Sequence, residues 1–286
     1  MFELYAPLIT PFDKEENVDE QGFLNNLAWY DTQPLDGYLV NGSSGEADML
    51  SATEQLRLLE LTCQSTDRPI FAGLAPTSVR VAVEEIQRLR DLPLAAVLVR
   101  TPSYFGAQLD QRIFYRAVAD ASPHPIVIYQ IPQNTGVKLD ERTLYDLAQH
   151  PNIIGIKDSL GDLSLLQEVD PPDSFRYLLG AANLLLPGLR AGAVGGILAL
   201  ADVVPSACRA LLDLAAAGEW EKAQQLQRGL IPLNRAIGGS RGYGIAGLKG
   251  AVELLGLCGG PPRRPLTPLK AEGRKNLRAM ISQLLG

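Results

Sequence analysis

The sequence predicts an α/β protein, a (β/α)8 barrel over residues 1–218 with a helical extension over 219–286 packed against it. Three observations predict this. Short apolar runs rich in β-branched residues recur eight times before the last quarter of the chain. Segments with helical spacing of apolar residues separate them. After about Glu219 the runs stop and only helical patterns remain. Such alternation over roughly 220 residues suits a closed parallel barrel. A doubly wound sheet is the alternative, but no glycine-rich turn follows the first run.

The runs lie at 4–10, 37–40, 70–72, 95–99, 126–129, 153–156, 175–179 and 194–198. After the first, Leu24, Leu27 and Ala28 form one apolar helical stripe. Ser51-Ala52-Thr53-Glu54 has the spacing of a capping box and opens a helix carrying Leu56, Leu59 and Leu61 beside Glu60. Thr77-Ser78 opens another, with Val79, Val83, Ile86 and Leu89 on its face. Beyond the barrel, 219–230, 245–255 and 270–285 read as helices. Gly259-Gly260-Pro261-Pro262 marks a linker or sharp turn between the last two.

Composition narrows the function. The chain has 286 residues, a net charge of -6 and 46% hydrophobic residues, which fits one or two globular domains with a sizeable core. An acidic balance argues against nucleic acid and anionic membranes as partners. Cys63, Cys208 and Cys258 form neither a disulfide framework nor a metal motif. Met1-Phe2-Glu3-Leu4 lacks the regions of a signal peptide, so the cytoplasm is the expected location. The apolar stretch 194–204 carries Asp202 and glycines, and is too short to span a bilayer. Only two histidines occur, His124 and His150, each beside prolines in loops that precede a strand. A Ser-His-Asp triad or multi-histidine metal site is thereby disfavoured, and Lys, Tyr, Ser or a carboxylate must carry any chemistry.

Two motif matches carry nothing. Gly242-Tyr243-Gly244-Ile245-Ala246-Gly247 has dinucleotide-loop spacing, but it follows no strand and lies in the helical tail. Asn41-Gly42-Ser43 matches a glycosylation acceptor without any sign of secretion.

The informative residues lie at the C-terminal ends of the runs, the face where barrel enzymes place their sites. Lys157 closes Ile153-Ile154-Gly155-Ile156. An amine emerging from an apolar core is poorly hydrated, which disfavours its charged form, and a neutral amine can attack a ketone to form an imine. The bland alternative is a lysine that snorkels into water. Tyr129 ends the neighbouring fifth run, where a phenol can shuttle protons; otherwise it is a core-edge aromatic. Asn41-Gly42-Ser43-Ser44-Gly45-Glu46 follows the second run. Its glycines let backbone approach a ligand, and its hydroxyls and N–H groups can hold a carboxylate, although the same residues suit an ordinary βα loop. Tyr104 and Phe105 follow the fourth run and present apolar surface for packing or a subunit contact.

At these residues the chain resembles a known family. Gly42-Ser43-Ser44-Gly45-Glu46, Tyr129-x-x-Pro132-x-x-x-Gly136 and Gly155-Ile156-Lys157-Asp158 look like signatures of the dihydrodipicolinate synthase/N-acetylneuraminate lyase superfamily. The resemblance runs nearly end to end. It implies a (β/α)8 Schiff-base aldolase with Lys157 as imine lysine, Tyr129 as proton-transfer group and no metal or organic cofactor. It further implies that Ser43 and Ser44 bind the substrate carboxylate, with Ser43 in the proton relay. Asn134, Ser159, Gly180 and Ile197 would complete the substrate site. Tyr104 corresponds to a tyrosine inserted into a neighbouring subunit's site, which implies a homo-oligomer, a tetramer built from two tight dimers.

Departures from the pattern bear on substrate. Dihydrodipicolinate synthases carry an arginine at the place of Asn134, for a second carboxylate. Sialic acid lyases carry acidic residues at Ala182 and Asn183, and a serine at Ala199. The subfamily resemblance is greatest to 4-hydroxy-2-oxoglutarate aldolase, through Asn134-Thr135-Gly136, Gln149-His150-Pro151-Asn152-Ile153 and Gly192-Ala193-Val194-Gly195-Gly196. It implies cleavage of that 2-oxo acid to pyruvate and the aldehyde glyoxylate. Dihydrodipicolinate synthesis from pyruvate and aspartate semialdehyde, or a 2-keto-3-deoxygluconate-type cleavage, stands as alternative. A non-catalytic barrel that binds 2-oxo acids is the reading from another class.

Overall fold

The computed structural model describes residues 2–104, 106–238 and 242–285. Eight parallel strands close into a barrel in the order β1 to β8, with β8 pairing back onto β1. The first half runs β1 (Glu3–Pro7), α1 (Glu20–Asp31), β2 (Gly37–Val40), α2 (Ala52–Ser65), β3 (Ile70–Leu74), α3 (Val79–Arg88), β4 (Ala96–Arg100) and α4 (Gln111–Ala121). The second runs β5 (Ile126–Gln130), a short α5 (Pro132–Thr135), α6 (Glu141–Ala148), β6 (Ile153–Asp158), α7 (Ser164–Glu168), β7 (Arg176–Leu179), α8 (Leu185–Arg190), β8 (Gly195–Ile197) and α9 (Pro205–Ala216). Then come α10 (Trp220–Ile237), α11 (Gly244–Leu254) and α12 (Ala271–Leu285), which pack on one another and, through α10, on α9. Among the described residues no helix is long and apolar enough to cross a membrane.

Each strand feeds two cores because successive side chains point to opposite faces. Tyr5, Leu39, Phe71, Ala96, Leu98, Val127, Leu178 and Ile197 fill the barrel. Their neighbours, such as Val97, Val99, Ile126 and Ile128, pack outward against the helices. Ser51 and Glu54 form the expected capping box of α2, and Ser78 caps α3.

Three expectations are corrected. The first run stops being strand at Pro7, although Leu8, Ile9 and Thr10 stay buried in the loop. On α1 the buried face is Phe23, Asn26, Leu27 and Tyr30, while Ala28 is exposed. The reason is Asn26, which exchanges two hydrogen bonds with the Cys258 backbone at 2.7 and 2.8 Å, so the buried face contains a polar side chain. The helix expected over 219–230 continues through Pro232 to Ile237.

One strand departs from simple alternation. Ile126 pairs with Ile153, but the next residue, Val127, pairs with Gly155. Ile154 is therefore an extra residue, a β-bulge in β6. Plain alternation would put Lys157 on the outward face with Ile153. The bulge moves it to the inward face, where Tyr129 is its register partner. Gly155 is required by the close approach of β7, since a Cβ there would lie 2.3 Å from the Arg176 carbonyl oxygen.

The extension is tied to the barrel by a buried ion pair. Lys249 of α11 donates to Glu46 at 2.5 Å and to the Pro261 carbonyl at 2.9 Å, and both charged side chains are 1% exposed. Burial pulls the Lys249 ammonium pKa down to about 8, with Glu46 opposing that shift. Glu46 also accepts the Arg263 backbone N–H at 2.9 Å. Removing one partner of such a pair strands the other charge. Lys249→Met is expected to lower unfolding free energy by about 3–5 kcal/mol. Adding Glu46→Gln should restore most of that loss, as measured by urea denaturation.

Candidate active site

The site forms where β2, β5 and β6 deliver side chains to the C-terminal mouth of the barrel. After β2, Ser43–Gly45 makes a 3-10 turn bracketed by Asn41 (φ 58°) and Glu46 (φ 56°) in the left-handed region. Asparagine tolerates that conformation, whereas glutamate does so only when its surroundings hold it. Here Lys249 and the Arg263 backbone hold Glu46, and Thr10 donates to the Gly45 carbonyl at 2.7 Å. A strained loop is thus clamped from the first loop and from the far end of the chain.

Ser43 projects from this turn to share a hydrogen bond with the Tyr129 hydroxyl at 3.3 Å. The Lys157 Nζ lies 4.5 Å from the Tyr129 ring centroid, and both residues are 5% exposed. The three residues singled out for imine chemistry therefore meet. Asp202, just after β8, is fully buried and neither of its carboxylate oxygens has a hydrogen-bond partner among the described residues. Burial pushes its carboxyl well above the usual range, with Lys157 pulling the other way.

Asp158 follows Lys157 but points outward. It accepts from Gln130 Nε2 at 3.0 Å, from the Leu160 N–H at 2.8 Å and from the Tyr177 hydroxyl. Burial beside Asp158 raises the Tyr177 phenol far above its ordinary value, so it remains a donor. Gln130 in turn accepts the Leu139 N–H at 2.7 Å. The loops after β5 and β6 are thereby anchored to the strands that carry Tyr129 and Lys157.

The other expected residues are more dispersed. Ser159 and Gly180 touch at the ends of β6 and β7, where a Cβ on Gly180 would lie 1.8 Å from the Ser159 hydroxyl oxygen. Ile197 is buried inside the barrel, and Ser44 is half-buried on the β2 loop. Asn134 is exposed on α5, as Asn183 is after β7. Ala182 is buried in the outer layer, and Ala199 is partly buried against it. Tyr104 stands at the rim, 88% exposed, while its neighbour Phe105 lies outside the described residues. His124 bonds the Leu89 carbonyl oxygen at 2.9 Å and His150 bonds Asp120 at 3.0 Å, both before the strands and away from the mouth. Gly242–Gly247 enters α11 after α10, with residues 239–241 outside the described set.

Two residues at the mouth were missed. Arg100, the last residue of β4, pairs with Tyr129 in register and binds Asp48 of the β2 loop through two hydrogen bonds of 2.6 and 2.9 Å. The signal was available, since Arg100 occupies the same strand-end position as Tyr129 and Lys157.

A sequence model of the dihydrodipicolinate synthetase family matches residues 2–284. The chain belongs to this family. The 4-hydroxy-tetrahydrodipicolinate synthase of Bartonella bacilliformis is 35% identical over 96% of this chain and 95% of its own. That of Methanococcoides burtonii is 31% identical over 99% of both chains. The crystal structure of dihydrodipicolinate synthase from Aquifex aeolicus, 27% identical, covers 99% of this chain and 98% of its own with a TM-score of 0.90. The fold and the superfamily expected from the motifs are both correct, and the chain is an enzyme of the class I, lysine-imine aldolase/lyase type.

Proposed function

We propose that the protein joins pyruvate to an aldehyde, or separates them, through an imine on Lys157. The observation that carries this reading is the Lys157–Tyr129–Ser43 cluster, with amine, phenol and hydroxyl together at the mouth of the barrel. Lys157 Nζ adds to C2 of pyruvate and water leaves, giving a protonated imine. Loss of a methyl proton yields the enamine, whose carbon bonds to the aldehyde. Tyr129 gives its proton to the developing alkoxide and recovers one through Ser43. Water then hydrolyses the imine. Ser43, Ser44 and the backbone of their turn hold the pyruvate carboxylate. Asn134, Ser159, Gly180 and Ile197 complete the substrate site. The imine supplies the electron sink, so the cycle needs no metal or organic cofactor.

The relatives' names favour aspartate semialdehyde as the aldehyde, ahead of the 4-hydroxy-2-oxoglutarate reading drawn from the sequence. Cleavage of 4-hydroxy-2-oxoglutarate remains the second reading because Asn134 replaces the carboxylate-binding arginine. Pyruvate release from a panel of 2-oxo acids, set against condensation of pyruvate with aspartate semialdehyde, separates the two. Three free cysteines suit action in the cytoplasm.

Incubation with pyruvate and borohydride is expected to leave a stable adduct on Lys157, located by peptide mapping. An adduct on buried Lys249 or on Lys138 instead would overturn the assignment, and no adduct at all would favour the non-catalytic barrel. Lys157→Arg should abolish turnover, because a guanidinium stays protonated. Tyr129→Phe should lower kcat by about 10²–10⁴-fold while leaving the fold intact, since the buried ring is kept.

The enzyme is a homo-oligomer, a tetramer of two tight dimers in which Tyr104 reaches the partner's site. Exposed Tyr104 and Ile113, on and after the β4 loop, support this. Light scattering should give a multiple of 30.9 kDa. Mixing Tyr104→Phe with Lys157→Arg should restore activity in hybrid dimers, where one site has both intact groups. No recovery in verified hybrids of inactive parents would confine Tyr104 to its own barrel.

A further inference from the structure

Arg100 is a charged group at the mouth to which the imine cycle gives no task. On β4 it follows Ala96 and Leu98 of the barrel interior in alternation, so it faces inward. Register pairs it with Tyr129, and Tyr129 with Lys157. Three inward side chains therefore stand in one row across β4, β5 and β6.

Its guanidinium is occupied by one of the chain's own carboxylates. Asp48 sits in the 3-10 turn Ala47–Met49, directly after Glu46. The pair spans the end of β3 and closes a cleft lined by Ser43, Gly73, Asp48, Arg100 and Tyr129, leaving room for about one water. The two partners are unequal. The Arg100 side chain is 20% exposed and backed by the barrel, whereas that of Asp48 is 54% exposed. Water reaches the Asp48 side of the pair, so Asp48 can exchange into solvent for another carboxylate while Arg100 keeps its row. A guanidinium fork bound to a carboxylate through two hydrogen bonds is already shaped for another carboxylate.

We propose that Arg100 selects the aldehyde, holding a carboxylate borne by that substrate in the place Asp48 occupies when the site is empty. The assignment rests on the Lys157 imine reading. Two strand spacings separate the Arg100 and Lys157 backbones by about 10 Å, and with both side chains reaching toward the mouth a chain of about four or five carbons bridges imine and guanidinium. Tyr129 lies between them, beneath the bond that forms or breaks. The guanidinium absent at Asn134 on α5 is thus supplied from the end of β4. Asp48 keeps Arg100 paired between turnovers, and it competes with the carboxylated aldehyde for the guanidinium.

The test compares succinic semialdehyde with butanal, aldehydes of equal length with and without a carboxylate, as partners for pyruvate in the intact enzyme. The native protein should favour the carboxylated aldehyde in kcat/KM. Arg100→Gln should raise KM for succinic semialdehyde by about 10- to 100-fold and erase the preference, with the borohydride adduct on Lys157 still forming. Arg100→Lys should restore the preference only in part, because an ammonium is a point charge. Asp48→Asn should shift the ratio several-fold further toward the carboxylated aldehyde. An intact adduct with both aldehydes changed in equal proportion by Arg100→Gln, or with the ratio unmoved or reversed by Asp48→Asn, makes the pair a structural latch and overturns the assignment alone. Failure of the native protein to form the adduct overturns the imine reading, and this assignment with it.

Discussion

The extra residue at Ile154 decides what this barrel can do. A strand sends alternate side chains to opposite faces, so parity alone determines whether a lysine meets the barrel mouth or the helical layer. With Ile153 paired outward, an unbroken β6 would bury the Lys157 amine among aliphatic side chains of the outer core. The two-for-one step opposite Ile126 and Val127 reverses the parity. Tyr129, already inward on β5, then becomes its neighbour, and Ser43 reaches Tyr129 from the β2 loop.

Strand alternation separates two charges adjacent in sequence, and the bulge decides which of them faces the mouth. Lys157 and Asp158 project to opposite faces, so the carboxylate is directed away from the mouth that the amine faces. Asp158 is instead spent on loop geometry, accepting from Gln130, Leu160 and Tyr177. One dipeptide thus places the candidate imine lysine at the mouth and an anchor behind it.

The sequence displayed some of this plainly and hid the rest for identifiable reasons. Eight β-branched runs, the capping box at Ser51 and strand-end Lys157 and Tyr129 are local patterns, and local patterns survive folding. The bulge was hidden because Ile153 and Ile154 are both apolar, and either parity reads well. Arg100 was legible but passed over, because the fourth run was ended at Val99, where its apolar residues end. Asn26 on the buried face of α1 and Lys249 inside α11 were hidden because their partners lie 232 and 203 residues away. Long-range polar pairs leave no periodicity. The Asn41–Glu46 loop was visible as a motif, but the left-handed backbone at Asn41 and Glu46, and the groups that hold it there, were not.

Those holding groups give the site an order of completion. The loop from Asn41 to Glu46 belongs to the first fifth of the polypeptide, yet the groups that hold Glu46, Lys249 and the Arg263 backbone, belong to the last. During synthesis from the N-terminus, the ribosome releases β2 and its turn long before α11 and the segment that follows it. The held backbone at Glu46 is therefore among the last features the chain can complete, because its partners are made after every strand of the barrel.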